Sequence, residues 1–295
     1  MDAADRAVHD GRLIDGTETV PIFHAIVLGL VQGFSEFLPI SSSGHLILVP
    51  WLFDWNDFDN STVERTFDVA LHFGTLVAVV SYFWHDLVVY VREGVKLVVR
   101  RDRPATVEGR LAWYFVLATL PAALVGALFS DQIDAHLGTP LIIGVSLIVF
   151  GLVLAWADRL GGRRPVEDFR GREALVVGAA QALALNPGTS RSGITMTAAR
   201  AIGFGRDPAV RISFLMSIPV IFGACLYSAA GLVRDGLEPD LRVPMLVGMI
   251  TSGIAGWIAV WGTLRIVRTH SFFPFVVYRI VVGCAVLLIV ATGWR

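Results

Sequence analysis

Long apolar runs dominate this sequence. Six of them are long enough to cross a bilayer, which takes a helix of about 20 residues. These runs lie at residues 67–90, 111–130, 137–157, 212–233, 243–264 and 272–294. Backbone groups in lipid must satisfy their hydrogen bonds within the protein, so runs of this length favour helices over strands. The sequence therefore predicts an all-α integral membrane protein with six transmembrane helices.

Two further apolar segments, at residues 22–53 and 173–205, are interrupted in the middle by polar residues, glycine and proline. The first contains Gln32, Glu36 and the sequence PISSSGH, and the second contains NPGTSRSG at residues 186–193. Broken backbone at membrane depth requires cover from protein or water. We therefore expect each segment to be a re-entrant helix–loop–helix hairpin that returns to the side from which it entered.

The two broken segments also match each other at a constant offset of 149 residues. The matched positions are Gly29, Gln32, Ser41, Ser43 and Gly44 with Gly178, Gln181, Ser190, Ser192 and Gly193. Each half then holds one hairpin and three spans, in repeats at residues 21–158 and 172–295 of one membrane domain. An odd number of crossings inverts the second repeat. Chance similarity between two Gly/Ser-rich turns is the alternative.

The charges on the loops give a test of sidedness. Basic residues gather at 92–110, 159–172 and 265–268, and acidic residues at 54–64, 131–134 and 235–240. Since basic loops stay in the cytoplasm, we expect the first hairpin and the N-terminus outside and the second hairpin entering from inside. Residues 1–20 are polar and lack the apolar core of a signal peptide, so we expect a solvated extension. The net charge of −1 gives no basic field for nucleic acid.

The hairpins carry complementary groups for phosphate chemistry. In the second, Asn186-Pro187-Gly188 predicts a helix stop and turn, and Thr189 or Ser190 can cap the next helix. Its helix N-terminus, with the hydroxyls of Ser190 and Ser192 and the guanidinium of Arg191, suits a phosphate. The first hairpin supplies the carboxylate of Glu36, the hydroxyls of Ser42 and Ser43 and the imidazole of His45, which include a nucleophile and a base.

Structural interpretations compete with these roles. Residues 41–43 can cap the following helix, His45 can be a buried, hydrogen-bonded histidine, Gln32 and Gln181 can link helices, and Arg191 can be a structural counter-ion of Glu36. Asp68 and His72 lie four residues apart near a span end, where interface capping is favoured over a place at the mouth of the site. We expect Arg279 to extend to the cytoplasmic surface. Glu36 is the hardest to explain structurally, because a carboxylate at membrane depth is costly.

Both motifs resemble those of the undecaprenyl pyrophosphate phosphatase family, the bacitracin-resistance type. The family pattern (E/Q)xxxE followed by PxSS(S/T)GH is similar to QGFSEFLPISSSGH at residues 32–45, and PGxSRSxxT is similar to PGTSRSGIT at residues 187–195. The resemblance runs from about residue 22 to 293 and includes Tyr278 and Arg279. Gln32 stands where many members have glutamate.

The resemblance implies a multi-pass enzyme of the cell membrane that removes the terminal phosphate of undecaprenyl diphosphate, a polyprenyl diphosphate lipid. This reaction recycles the carrier for cell-wall glycans and gives bacitracin resistance, with the active site opening to the extracytoplasmic side. It implies catalytic or phosphate-binding roles for Glu36, His45 and Arg191, with Ser42 as the favoured nucleophile. Further phosphate contacts are expected from Gln32, Ser41, Ser43, Ser190, Ser192 and Thr195.

Several alternatives stay open at this point. The attacking group is Ser42, His45 or a water activated by a bound Mg²⁺ or Ca²⁺, although Gln32 weakens any scheme that needs two carboxylates around a cation. A polyprenyl-phosphate flippase is the alternative function, because transporters share the predicted architecture. An intramembrane serine protease has less support, since a Gly-x-Ser-x-Gly turn is missing from the sequence. The sequence does not decide whether the protein is a homodimer.

Overall fold

The computed structural model describes residues 20–57, 61–100, 105–235 and 239–295. Across these ranges the chain is helical, and the one β-type contact is an isolated bridge between Arg164 and Phe204. The predicted N-terminal extension, except Val20, lies outside the described residues, as do parts of three charged loops at 58–60, 101–104 and 236–238. The expected all-α class is confirmed for the described chain.

Twelve α-helices account for most of the described residues. They are α1 (Ile22–Phe37), α2 (Ser42–Phe53), α3 (Ser61–Tyr82), α4 (Trp84–Val99), α5 (Val107–Leu117), α6 (Leu120–Leu137), α7 (Pro140–Asp158), α8 (Gly171–Ala182), α9 (Arg191–Ala201), α10 (Arg206–Asp235), α11 (Arg242–Val267) and α12 (Phe273–Thr292). Short 3₁₀ turns occur at Val166–Asp168, Leu183–Leu185 and Pro239–Leu241.

The described helices include enough apolar length for a multi-pass membrane protein. Five continuous stretches can cross a bilayer, at Val107–Phe129, Pro140–Asp158, Arg206–Ala229, Pro239–Val267 and Phe273–Thr292. A sixth is reached if the bent pair α3 and α4 counts as one span. The first stretch is two helices rather than one, since α5 ends at Leu117 and α6 begins at Leu120.

The predicted span at residues 67–90 is bent near its middle. Helix α3 ends at Tyr82, α4 begins at Trp84, and the two helices are bent by 84°. Residues 80–86 contain neither proline nor glycine, so no helix breaker marks this bend in the sequence. Helix α4 also carries Arg92 and Lys96, which the sequence analysis assigned to a loop. It has an apolar face and a charged face, with Lys96 bound to Glu93 at 2.6 Å.

Helix α11 lies against both α1 and α3, and small residues allow these three helices to approach one another closely. A Cβ on Gly33 of α1 would come within 2.5 Å of Ala255 Cβ and of the Ser252 carbonyl oxygen. A Cβ on Gly29 would come within 2.7 Å of the Gly248 carbonyl oxygen. Packing without side chains at these points is a common route to tight helix contacts in membranes.

The segment from α8 to α9 packs against several other described helices. Helix α9 contacts α7, α8 and α10, while α12 packs along α7. A large apolar core surrounds it, and its members include Phe37 and Phe214, whose rings meet edge to face at 5.3 Å between centroids. Because Phe37 ends α1 and Phe214 lies on α10, this contact fixes the end of the first hairpin helix against the core.

We expect Gly33→Leu to destabilise the protein, because the new side chain overlaps the backbone of α11. Overpacking of this kind costs about 1–3 kcal/mol or more, which corresponds to a drop in Tm of about 5 °C. Thermal unfolding in detergent measures it. Gly262→Leu on α11 is the matched control, since no heavy atom lies within 4 Å of its Cβ position. Equal Tm values for the two variants would show that α1 and α11 are not tightly packed.

Candidate active site

Two helix–turn–helix segments build the site. Helix α1 ends at Phe37 and α2 begins at Ser42, while α8 ends at Ala182 and α9 begins at Arg191. The residues just before α2 and α9, Ser41 and Ser190, have φ values of 83° and 74°. A positive φ is strained for serine and costs about 1–3 kcal/mol unless the surroundings stabilise it. Each serine Oγ accepts a backbone N–H of its own helix, from Gly44 and Gly193 respectively.

The turns contact each other directly. Ser41 Oγ accepts a second hydrogen bond, from the N–H of Gly188 in the other turn, at 3.1 Å. Gly188 has φ of +90°, and a Cβ there would lie 2.7 Å from the Ile143 carbonyl oxygen, so glycine is required. Ser192 Oγ donates to the Leu38 carbonyl at 3.0 Å, which closes the contact from the other side. The two motifs therefore meet, although they lie about 150 residues apart in the sequence.

Arg279 joins these turns to α7, and the expectation that it reaches the cytoplasmic surface is wrong. Its side chain on α12 is 0% exposed. The guanidinium donates to the carbonyl of Pro39 at 3.1 Å and to those of Gly188 and Thr189 at 2.9 and 3.0 Å. Its Nε donates to the Leu147 carbonyl at 3.1 Å. The turns expose carbonyls that no helix can satisfy, and a buried guanidinium with five N–H groups can bind them.

Glu36 lies near the end of α1, beside the two turns and α10. One oxygen, Oε1, accepts from Arg191 Nη2 at 2.6 Å, and the other, Oε2, accepts from Ser42 Oγ at 2.7 Å. Gln32 Nε2 donates to Oε2 at 3.1 Å. Arg191 is oriented by a second bond, from Nη1 to the Ser213 carbonyl at 3.0 Å. The carboxylate is only 5% exposed, so its negative charge is balanced mainly by Arg191.

His72 belongs to this cluster, although the sequence analysis favoured an interface role for it. Its Nε2 lies 3.7 Å from Glu36 Oε2, and its Nδ1 donates to the Asp68 carbonyl at 2.8 Å. The His72 side chain is 30% exposed, against 5% for Glu36, so the cluster meets its surroundings at His72. The i, i+4 pair with Asp68 was the available signal, but the sequence could not show that this face of α3 meets α1.

His45 is held away from the carboxylate. Its Nδ1 donates to the Ser41 carbonyl at 2.7 Å, and its Nε2 accepts from the Tyr278 hydroxyl at 2.8 Å, with the two rings stacked. The imidazole is buried and both nitrogens are used. Among the described contacts it bonds to neither Glu36 nor Ser42. Tyr278, which the sequence analysis did not name for the site, is its partner.

The remaining predicted residues divide into three groups. Ser43 is exposed at the start of α2. Ser190, Ser192 and Thr195 are buried and bond within the protein, with Thr195 Oγ1 donating to Ser213 Oγ at 2.7 Å. Gln181 is buried on α8, and neither its amide nitrogen nor its oxygen has a hydrogen-bond partner among the described residues. It is not part of the cluster around Glu36, and the phosphate contacts expected of the others stay predictions.

Comparison with known proteins identifies the family of this chain. The model of the bacitracin resistance protein BacA family matches residues 25–285, which include both turns, Glu36 and Arg279. The chain belongs to the BacA family. Similar proteins named undecaprenyl-diphosphatase include that of Moorella thermoacetica, 44% identical over 92% of this chain and 98% of the relative. Another, from Desulforudis audaxviator, is 46% identical over 90% of this chain and 97% of the relative.

We expect Arg279→Gln to unfold more easily, because the shorter neutral amide cannot reach the carbonyls of both turns. Loss of several charge-assisted bonds costs more than about 3 kcal/mol, a Tm decrease on the order of 10 °C. Arg279→Lys should not restore stability, since one ammonium group lacks the planar fork. Thermal unfolding of the variants is compared with Arg265→Gln, an exposed arginine of α11. A lysine variant as stable as the parent would contradict the multidentate role.

Proposed function

We propose that this BacA family member is an undecaprenyl-diphosphatase, which hydrolyses undecaprenyl diphosphate to undecaprenyl phosphate and phosphate. One observation carries the proposal: a serine hydroxyl donates to a buried carboxylate at 2.7 Å, while an arginine binds the opposite oxygen of that carboxylate at 2.6 Å. A nucleophile, its base and a phosphate-binding cation thus share one small site. The names of the relatives give the substrate.

In the proposed reaction, Ser42 Oγ attacks the terminal phosphorus and Glu36 takes its proton. The bond from Oγ to phosphorus forms as the bond to the bridging oxygen breaks, and undecaprenyl phosphate leaves. Water then cleaves the phosphoserine, which releases phosphate and regenerates the hydroxyl. Arg191 balances negative charge on the transferred group, in place of its contact with Glu36 in the free enzyme.

The hydrogen bonds support Glu36 rather than His45 as the base that takes the proton of Ser42. Ser42 Oγ donates to it directly, whereas the nitrogens of His45 bond to Ser41 and Tyr278. We propose that His45 instead positions the first turn. His72 can take the proton onward from Glu36, because its Nδ1 hydrogen is held by the Asp68 carbonyl and its Nε2 faces the carboxylate at 3.7 Å.

We propose a reaction without a divalent cation, although the buried Gln32 Oε1, which has no hydrogen-bond partner in the described structure, offers one free ligand oxygen near Glu36. Arg191 already lies against one carboxylate oxygen, and the second potential carboxylate position is Gln32. Within the described residues, no group of three or more His, Cys, Asp or Glu side chains could hold a metal ion. No step of the proposed reaction uses Mg²⁺ or Ca²⁺. Measuring turnover in the presence of a chelator tests the metal-dependent alternative.

We also propose that the two halves are inverted repeats with re-entrant hairpins. Helices α1 and α8 begin 149 residues apart, and so do α2 and α9. Ser41 and Ser190 share the same unusual φ and the same capping role, and Ser42 and Arg191 occupy equivalent first positions of their helices. The charged loops favour a plasma-membrane enzyme whose site opens to the outside. A homodimer stays a prediction.

We expect Glu36→Gln to lower kcat at least about 100-fold, because removal of a general base costs two to four orders of magnitude. Phosphate release from farnesyl or undecaprenyl diphosphate by purified protein measures this. Glu108→Gln, at the start of α5, is the control for loss of a carboxylate. Movement of the lipid across proteoliposomes without phosphate release, in the parent protein, would favour the flippase and reject the hydrolase.

We expect Ser42→Ala to lower turnover by a factor on the order of 1,000, since nucleophilic catalysis is lost. Ser81→Ala is the control, because Ser81 is an exposed serine of α3 whose hydroxyl donates to the Ala78 carbonyl, away from Glu36. Rapid quenching followed by mass spectrometry should detect phosphoserine at position 42 in the parent protein. If Ser42→Ala kept parental turnover at normal folding, the serine route would be abandoned in favour of direct attack by water.

A further inference from the structure

A polar cavity lies apart from the Glu36 cluster, at the place where the ends of α7, α9, α10 and α11 meet. Its volume is about 700 Å³, and five of the side chains that line it are arginines: Arg159, Arg163, Arg200, Arg206 and Arg268. Two aspartates, Asp158 and Asp207, supply the only carboxylates among its described lining residues. The lining therefore has a surplus of positive charge.

The cavity is separate from the proposed active site. Arg200 follows Arg191 on α9 by nine residues, which is about 13 Å along the axis and half a turn around it. The two arginines therefore point to opposite faces of the same helix. The cavity also lies beside the basic loop at residues 159–172, on the side that the loop charges predict to be cytoplasmic.

Both carboxylates of the cavity are already bound. Asp158 accepts from Arg206 Nε at 2.6 Å and Nη2 at 3.2 Å, and from the Phe272 N–H at 3.1 Å. Asp207 accepts from Arg211 at 2.9 Å and Arg268 at 3.1 Å. Arg159 and Arg163 are exposed and have no described ion pair. These two guanidinium groups have no described carboxylate partner, whereas Arg200 shares Asp158 with Arg206.

Arg200 gives an independent sign of a missing acceptor. Its side chain is 3% exposed, and its Nη atoms donate to the carbonyls of Phe204 at 2.6 Å and Asp158 at 3.1 Å. Its Nε is buried without a hydrogen-bond partner among the described residues, and it lies 3.9 Å from Asp158 Oδ1, an oxygen that already accepts from Arg206 Nε at 2.6 Å. An unsatisfied buried N–H of a charged group is costly, so native proteins normally supply an acceptor there.

We propose that this arginine cavity binds a phosphate group, supplied by the headgroup of an anionic phospholipid or by free phosphate. Guanidinium groups bind phosphate oxygens in pairs, and several converge here on one space. The volume falls in the range of small-ligand pockets and exceeds what a bare phosphate fills. Basic pockets between transmembrane helices on the cytoplasmic side commonly take lipid headgroups, which favours the lipid source.

Thermal unfolding of the full-length protein in uncharged detergent tests this site. Phosphatidylglycerol, phosphatidylcholine and inorganic phosphate are titrated separately against the parent, Arg159→Gln/Arg163→Gln and a control. The control Arg110→Gln/Arg172→Gln removes two exposed arginines outside the cavity. We expect phosphatidylglycerol, but not phosphatidylcholine, to raise the Tm of the parent and the control. The apparent affinity should be at least about tenfold weaker in the cavity variant.

The possible outcomes distinguish a lipid headgroup from free phosphate as the ligand, and they test the cavity independently of the proposed hydrolase. If inorganic phosphate reproduces the rise, and the cavity variant loses it, the phosphate site stands with free phosphate as its ligand. If neither phosphatidylglycerol nor phosphate raises the Tm more than phosphatidylcholine, or if the cavity and control variants respond alike, the proposal is overturned. Phosphate release by the cavity variant should stay at the parental level, so failure here leaves the proposed hydrolase unaffected.

Discussion

The buried guanidinium of Arg279 is the contact on which the arrangement of the two turns depends. It neutralises no carboxylate, and its N–H groups instead bind carbonyls of Pro39, Gly188, Thr189 and Leu147. Burying a charge in this way is tolerated because each of the three guanidinium nitrogens finds an acceptor, and because the turn carbonyls of Pro39, Gly188 and Thr189 find a donor. One side chain on α12 thus donates hydrogen bonds to carbonyls of both turns and of α7.

The geometry around Glu36 follows from that link. Once the turns are held together, the first residues of α2 and α9 face the same carboxylate, so Ser42 and Arg191 each bind one oxygen of Glu36. The strained φ of Ser41 and Ser190 aims these helix starts inward, and their hydroxyl caps offset part of the strain. A hydroxyl at the start of α2 and a guanidinium at the start of α9 are each brought within one hydrogen bond of the same carboxylate.

Much of this could be predicted because the signals were local. Apolar length predicts membrane helices, and Asn186-Pro187-Gly188 and the serines predict turns and caps, as the described structure confirms for Ser190. The bend at Phe83 could not be predicted, because residues 80–86 contain neither proline nor glycine to mark a helix break. Arg279 was misjudged for a related reason: an arginine near a helix end normally reaches water, unless a distant segment offers it carbonyls.

The sequence by itself determined the class of the protein, the positions of the two turns at residues 38–41 and 183–190, and the chemical groups available at each turn. These depend on residue type and spacing, which one chain segment carries alone. The tertiary structure decided which of those groups meet: His72 joins Glu36, His45 turns to Tyr278, and Arg279 is buried. Such partnerships form between helices more than 30 residues apart, where local pattern carries no information about which faces pack together.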